Sequence, residues 1–252
     1  LSIYSLSTLG SIDDYFPSQP IPSSSNVGET GLLVMPNARF MEEGVLKIGI
    51  SASFPQEFTS IVASPFSWME ATYRYTEIEN LFYGPFSYSG NQSYKDKGFD
   101  VKFRLINETK YLPSVAFGIR DMGGTGMTAA EYFVLSKRFG RLDATLGMGF
   151  GALGSDANIR NPFISFHESF NYRSSYLGQG GTFNFKDWFS GPNVAAFGGL
   201  EYSFPKYGLS LKVEYDTSNP DIPYSSNLPL EVKSRFNTGL VYALGDWVEL
   251  GL

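Results

Sequence analysis

The chain has no cysteine, which excludes disulfides, thiolate zinc sites and thiol nucleophiles. It has one histidine, His167, in "FISFHESF" beside Glu168. A single imidazole without a cysteine or a second histidine is a poor metal-ligand set, and a loop histidine is the simpler reading. A strong charge of one sign is missing too: 19 basic against 25 acidic residues leave a net charge of −6, which argues against nucleic-acid binding. No stretch approaches the roughly 18 apolar residues of a membrane-spanning helix. The first residues, "LSIYSLSTLGSIDDYF", lack a basic start and a continuous apolar run, so they are not an intact signal peptide.

What is present is glycine, aromatic rings and alternation: 27 Gly, 22 Phe and 16 Tyr in 252 residues, enough chain for one large all-β domain or two ordinary ones. In "RLDATLGMGFGAL" (141–153), Leu142, Ala144, Leu146, Met148, Phe150 and Ala152 share one parity, and Arg141, Asp143, Thr145 and three glycines share the other. Side chains alternate across a strand with period 2, so this segment reads as one long strand with an oily face and a small or polar face. "VLKIGISASF", "SWMEATYRYT", "GFDVKFRLI", "LPSVAFGIR", "NVAAFGGLEYSF", "YGLSLKVEYDT", "SRFNTGLVYAL" and "DWVELGL" repeat the pattern, and "AAEYFVLSKRF" follows it less cleanly. That is about ten strands, many near ten residues. Globular strands usually run about 5–6 residues, and membrane-barrel strands about 9–11.

The expected connections alternate in length. "INETKY", "FGR", "PK" and "GD" are short. "EIENLFYGPFSYSGNQSYKDK", "DMGGTGMT", the stretch 154–192 and "SNPDIPYSSNLPLE" are long. Short turns at one end and long loops at the other is the asymmetry of an outer-membrane barrel. The stretch "PQEFTSIVASPF" (55–66) reads as a connection at the short end that is not short. The non-oily parity carries Lys47, Arg74, Lys102, Arg104, Arg120, Arg141, Lys212 and Arg235 against Glu70, Asp100, Asp143, Glu201, Glu214, Asp216 and Glu249. The oily parity gathers Tyr73, Tyr75, Phe99, Tyr202, Tyr215 and Tyr242 near strand ends, as an aromatic girdle would. A soluble β-sandwich with charged faces in water is the competing reading.

Three blocks resemble a known family: "GLLVMPNARFMEEGVLKIGIS" (31–51), "SYKDKGFDVKFRLINETKYLPSVAFGIRDMGGTGMTAAEYFVLSKRFGRLDATLGMGFGALG" (93–154) and "NTGLVYALGDWVELGL" (237–252). They look like the YjbH/GfcD group, outer-membrane β-barrel proteins associated with bacterial exopolysaccharide or capsule operons. The order RDMGGTG, EYFVLSKRFG and a glycine-alternating strand is the specific part. The resemblance implies an envelope location and a part in polysaccharide export, and brings no established catalytic residues. Members are often lipoproteins, whereas this chain has no cysteine to acylate. Members are also longer, and "WVELGL" ends inside a strand pattern, so a fragment of a longer barrel protein is expected.

Candidate chemistry is thin. "GGTG" (123–126) lacks the strand-before, helix-after context and the lysine of a phosphate loop, and reads as a tight turn. Glu214 and Asp216, at i and i+2, could take Ca²⁺ or sugar hydroxyls, or simply belong to a charged lumen. Arg39 in "PNARF" could pair with barrel carboxylates. Trp68, Phe197 and Trp247 fall on the polar parity, where rings could stack on sugars or fill a small barrel.

The expected architecture is an all-β, antiparallel outer-membrane barrel of about 10–12 strands, with residues 1–28 a periplasmic or partly ordered extension and 29–252 the barrel. The lumen-facing set, candidate glycan contacts, is Trp68, Glu70, Arg74, Lys102, Arg104, Arg120, Arg141, Asp143, Phe197, Glu201, Lys212, Glu214, Asp216 and Trp247. Neither a cofactor nor a metal is expected. The expected partners are outer-membrane lipid, exopolysaccharide and other export-operon proteins. The expected function is non-enzymatic assistance of exopolysaccharide secretion or surface assembly. A passive porin or structural barrel, and less so an enzyme acting on sugars or lipids, are the alternatives.

Overall fold

The computed structural model describes residues 22–156, 158–174, 180–181, 183–218, 232–245 and 247–252. Residues 1–21 of the expected extension and 219–231 of the "SNPDIPYSSNLPLE" loop lie outside the described residues. The described residues form one antiparallel sheet of twelve strands. These are β1 Leu46–Ser53, β2 Gln56–Phe66, β3 Met69–Phe82, β4 Ser93–Ile106, β5 Ser114–Arg120, β6 Ala130–Phe139, β7 Leu142–Gly149, β8 Ile159–Arg160, β9 Asn193–Phe204, β10 Leu209–Tyr215, β11 Phe236–Leu244 and β12 Val248–Gly251. They pair in chain order, except that β7 pairs with β9 and the two-residue β8 sits beside β9 off the main path.

Alternation decides which face is covered, and the covered face is the charged one. In β3, Glu70, Thr72, Arg74 and Thr76 are buried; in β4, Asp96, Asp100 and Lys102; in β10, Lys212 and Glu214. The opposite parity points outward and is apolar: Ile50 is 85% exposed and Leu146 60%, with Leu200, Leu211 and Leu240 also exposed.

What covers the charged face is the chain itself. Residues 22–41 contain no helix or named strand, only the isolated bridges Ser24–Thr30 and Gly31–Pro36, and run along the concave side of the sheet. Leu32, Met35, Ala38 and Phe40 pack there against Ala116, Ala130, Tyr132, Val134, Leu153 and Phe197. This buried segment crosses the expected domain boundary at residue 28.

Several expectations change. Among the described residues β1 pairs only with β2 and β12 only with β11, so their sheet is not closed into a barrel. Instead, Lys47 of β1 and Glu249 of β12 both bond Ser24, and both edge strands line one cavity of about 1810 Å³. The stretch 55–66 is mostly strand β2 rather than a connection. Its inward residues mix Phe58 and Val62 with Ser60 and Ser64, which hides the alternation. The turns 67–68, 107–113, 140–141, 205–208 and 245–247 therefore lie at one end of the sheet. The strand ends joined by 83–92, 121–129, 150–192 and 216–235 lie at the other, with the short hairpin 54–55 among them. The strand read across 141–153 ends at Gly149. Gly151 takes a positive φ of 59° that starts a 3₁₀ turn, and Phe150 is buried between Phe163 and Phe189 of the long connection.

Candidate functional site

The buried polar trough between the sheet and the segment 22–41 is where the charged residues of the sequence meet. The wall grips the segment chiefly through its backbone. Glu70 accepts from Thr30 N (2.7 Å) and Thr30 Oγ1 (2.6 Å). Lys102 donates to Thr30 O and Arg39 O, both at 2.8 Å, and pairs with Glu70 at 3.2 Å. Lys212 donates to Gly31 O (2.8 Å) and Leu32 O (2.9 Å). Glu214 accepts from three successive amides, Leu33 N, Val34 N and Met35 N, at 2.9–3.1 Å; such a run of N–H groups forms an anion-binding concavity. Ser114 donates to Ala38 O and Ser136 accepts from Ala38 N.

Two side-chain clamps fix the segment's register. Arg120 pairs with Glu29, Tyr132 Oη donates to the same carboxylate at 2.8 Å, and Arg120 also reaches Val34 O. At the short-turn end Arg39 forks onto Asp143 (Nε–Oδ2 2.7 Å, Nη2–Oδ1 2.8 Å) and reaches Glu108 at 2.6 Å. Planar bidentate pairs of this kind carry geometric specificity. Partial burial opposes ionisation of Glu108, but the Arg138 N–H and the Arg39 guanidinium outweigh it and hold its carboxyl below the usual range.

Of the fourteen expected lumen residues, the trough gathers Glu70, Lys102, Arg120, Asp143, Lys212 and Glu214. Glu201 joins them through Ser23, and Phe197 through the apolar cluster. Arg104 stacks its guanidinium 4.4 Å from the Phe40 ring. Arg74 sits deeper toward the long loops, bonded to Asp100 and Thr128. Asp216 lies just past β10 and accepts from Ser218 and Asn237.

Three residues are elsewhere. Trp68 occupies the β2–β3 turn, half exposed, stacked on Phe66 at 5.1 Å. Arg141 lies exposed in the 140–141 turn, and Trp247 is 94% exposed beside β12. Each sits at a strand end, where parity no longer dictates direction because the chain is turning. The expected aromatic trio of Trp68, Phe197 and Trp247 therefore does not form one surface. His167 caps a 3₁₀ turn through Ser169 N. Gly123 and Gly126 have positive φ, as a tight turn requires. Glu29, Glu108, Ser114, Tyr132 and Ser136 belong to the trough and were missed. Only the inward parity of the last three was available as a signal. Among the described residues no group of three or more His, Asp or Glu could hold a metal ion.

A curled antiparallel sheet, apolar outside and charged inside, with a segment of its own chain bound along the concave face, defines a plugged all-β protein. The family model described as exopolysaccharide biosynthesis protein YbjH matches residues 23–252, and the chain belongs to this YjbH family. The match includes the 155–190 stretch that the sequence blocks left out. The chain is 40% identical over 238 residues to the uncharacterized lipoprotein YjbH of Escherichia coli (strain K12), covering 94% of this chain and 34% of that protein. It thus spans about a third of the length of the curated relative it matches. No solved structure matches.

Proposed function

We propose that the chain is a segment of a non-enzymatic bacterial outer-membrane barrel protein that assists secretion or surface assembly of an exopolysaccharide. The observation that carries this reading is the inversion of the sheet. Exposed leucines and isoleucines form the outer face while lysines, arginines and carboxylates are enclosed, as suits a lipid surroundings. Outward rings pair along the strands, Tyr73 with Phe99, Tyr202 with Phe204 and Tyr215 with Phe236, in keeping with an interfacial girdle. Membership of an exopolysaccharide biosynthesis family supports the substrate class, and the lipoprotein description of the relative supports an envelope location. The filled concave face favours, as a second reading, a structural envelope barrel without a conducting pore.

The test uses the full-length protein in its own cells. Cysteine at Leu146 or Leu200 is expected to react with a lipid-soluble maleimide and to resist a water-soluble one, while cysteine at Tyr88, in the 83–92 loop, takes the water-soluble reagent. Equal water-soluble labelling at all three positions overturns the membrane reading. Gene deletion is expected to lower secreted polymer and complementation to restore it; unchanged secretion in the deletion strain, with the cysteine variants labelled as a membrane barrel, leaves the structural reading.

A further inference from the structure

The turn after β5, "RDMGGTGMT", is not explained by the grip on the threaded segment. Asp121 opens it at a φ of 59°, the left-handed region. It is buried at 5% exposure, beside Asp96 and Asp100 of β4 at 2% and 1%. Asp121 Oδ2 accepts from Gly126 N (3.0 Å) and Thr128 N (3.3 Å), and Asp121 N donates to Asp100 Oδ1 (2.7 Å). Thr125 closes the turn onto Asp96 Oδ1 at 3.0 Å. The adjacent cation is Arg74 of β3, 3.4 Å from Asp100 and 2.9 Å from Thr128 Oγ1. Tyr94 of β4 stands beside Asp96 and Thr125. Arg120 of β5 and Glu29 of the threaded segment lie beyond, already paired with each other.

Three buried carboxylates thus face one guanidinium. Asp121 Oδ1 and Asp100 Oδ2, both enclosed, have no hydrogen-bond partner. Unpaired buried charge is costly, and a carboxyl in that position takes up a proton instead. We propose that Asp121, packed against the carboxylates of Asp96 and Asp100, is a proton-binding site, and that its proton latches the 121–129 turn against the sheet. The latch extends to the long connection, because Gly181 N donates to Gly123 O at 2.7 Å and the Phe183 ring lies against Gly123.

Burial first, then the neighbouring Asp96 carboxylate, pushes the Asp121 carboxyl from 3.8 up to about 7. An acid whose folded value is raised contributes its stability fully below the unfolded value and loses it as pH rises through the folded one. The turn is therefore tight in acidic medium and loosens as pH rises to and through neutrality, whether or not the sheet lies in a membrane.

Hydrogen exchange of the full-length protein, with rates corrected for intrinsic exchange, reads this directly. Protection of amides 121–129 is expected to fall about tenfold between pH 6 and pH 8, the limit set by linkage through a group titrating near 7. Strands β9 and β10 serve as controls and stay flat. Asp121→Asn, which keeps the shape without the ionisation, abolishes the pH dependence. Asp96→Asn, which removes the neighbouring charge, moves the midpoint to lower pH, and it decides the matter should Asp121→Asn not fold. Flat protection in the wild type, or a wild-type profile in Asp121→Asn, overturns the proposal.

Discussion

Arg120 and Glu29 illustrate how the trough is held at the level of single residues. Both are nearly inaccessible, and Tyr132 adds a third hydrogen bond to the same carboxylate. Removing one partner of a buried pair leaves an uncompensated charge, which costs about 3–5 kcal/mol. Arg120→Met is therefore expected to destabilise the protein by about that amount, whereas Arg120→Met combined with Glu29→Gln costs less than the sum of the single changes. Denaturant titration of the three variants checks it; strict additivity would show that the pair does not act as a unit. The same scale explains the glycine alternation of β7. A side chain at Gly147 would collide with the Phe197 ring, so the small face leaves room for an aromatic wall residue of the neighbouring strand. The alternation was legible in the chain, but the ring that required it stands fifty residues on.

At the element scale, the two faces of β7 invite opposite expectations. Arg at Leu146, outward and 60% exposed, is expected to destabilise by about 2–4 kcal/mol in a bilayer, the cost of a charge on a lipid-facing strand. Sequence alone suggests that Arg at Thr145 should be far milder, because its face is polar. The structure reverses this: Thr145 is buried, bonded to Ser136 Oγ at 2.9 Å in the wall beneath the threaded segment. An arginine there has no water to reach and must displace packed atoms, so both changes destabilise. Heat-modifiable migration and denaturant midpoints of the two variants, in bilayers and in detergent, separate the causes. The Leu146→Arg cost shrinks when lipid is replaced, and the Thr145→Arg cost does not. A Thr145→Arg protein as stable as wild type would mean that the trough is open to water.

For the whole molecule, the segment 22–41 carries the consequence. Its backbone satisfies Glu70, Lys102, Lys212 and Glu214, and its Leu32, Met35 and Phe40 supply much of the interior apolar surface. Deleting it from the full-length protein is expected to abolish folding rather than to open a channel, because these four charges, on β3, β4 and β10, would lose their partners together. Protease resistance and heat-modifiable migration of the deletion measure this. A stable, protease-resistant deletion product that conducts ions would show instead that the segment is a dispensable plug.

The strand pattern, the two chemical faces and the separation of short turns from long connections were all legible in the chain, because alternation and turn residues act over a few positions. So was the family, in the blocks around 31–51, 93–154 and 237–252. What fills the concave side was not. "GLLVMPNARF" shows no period of its own, and its amides are partnered by side chains from β4, β5, β6 and β10. The β2 strand hid in mixed polarity, and Trp68, Arg141 and Trp247 left the wall because turns override parity. Local chemistry determined the faces of the sheet. Only the tertiary structure decided that the charged face would close on a segment of the same chain, because those contacts join residues as many as 225 positions apart.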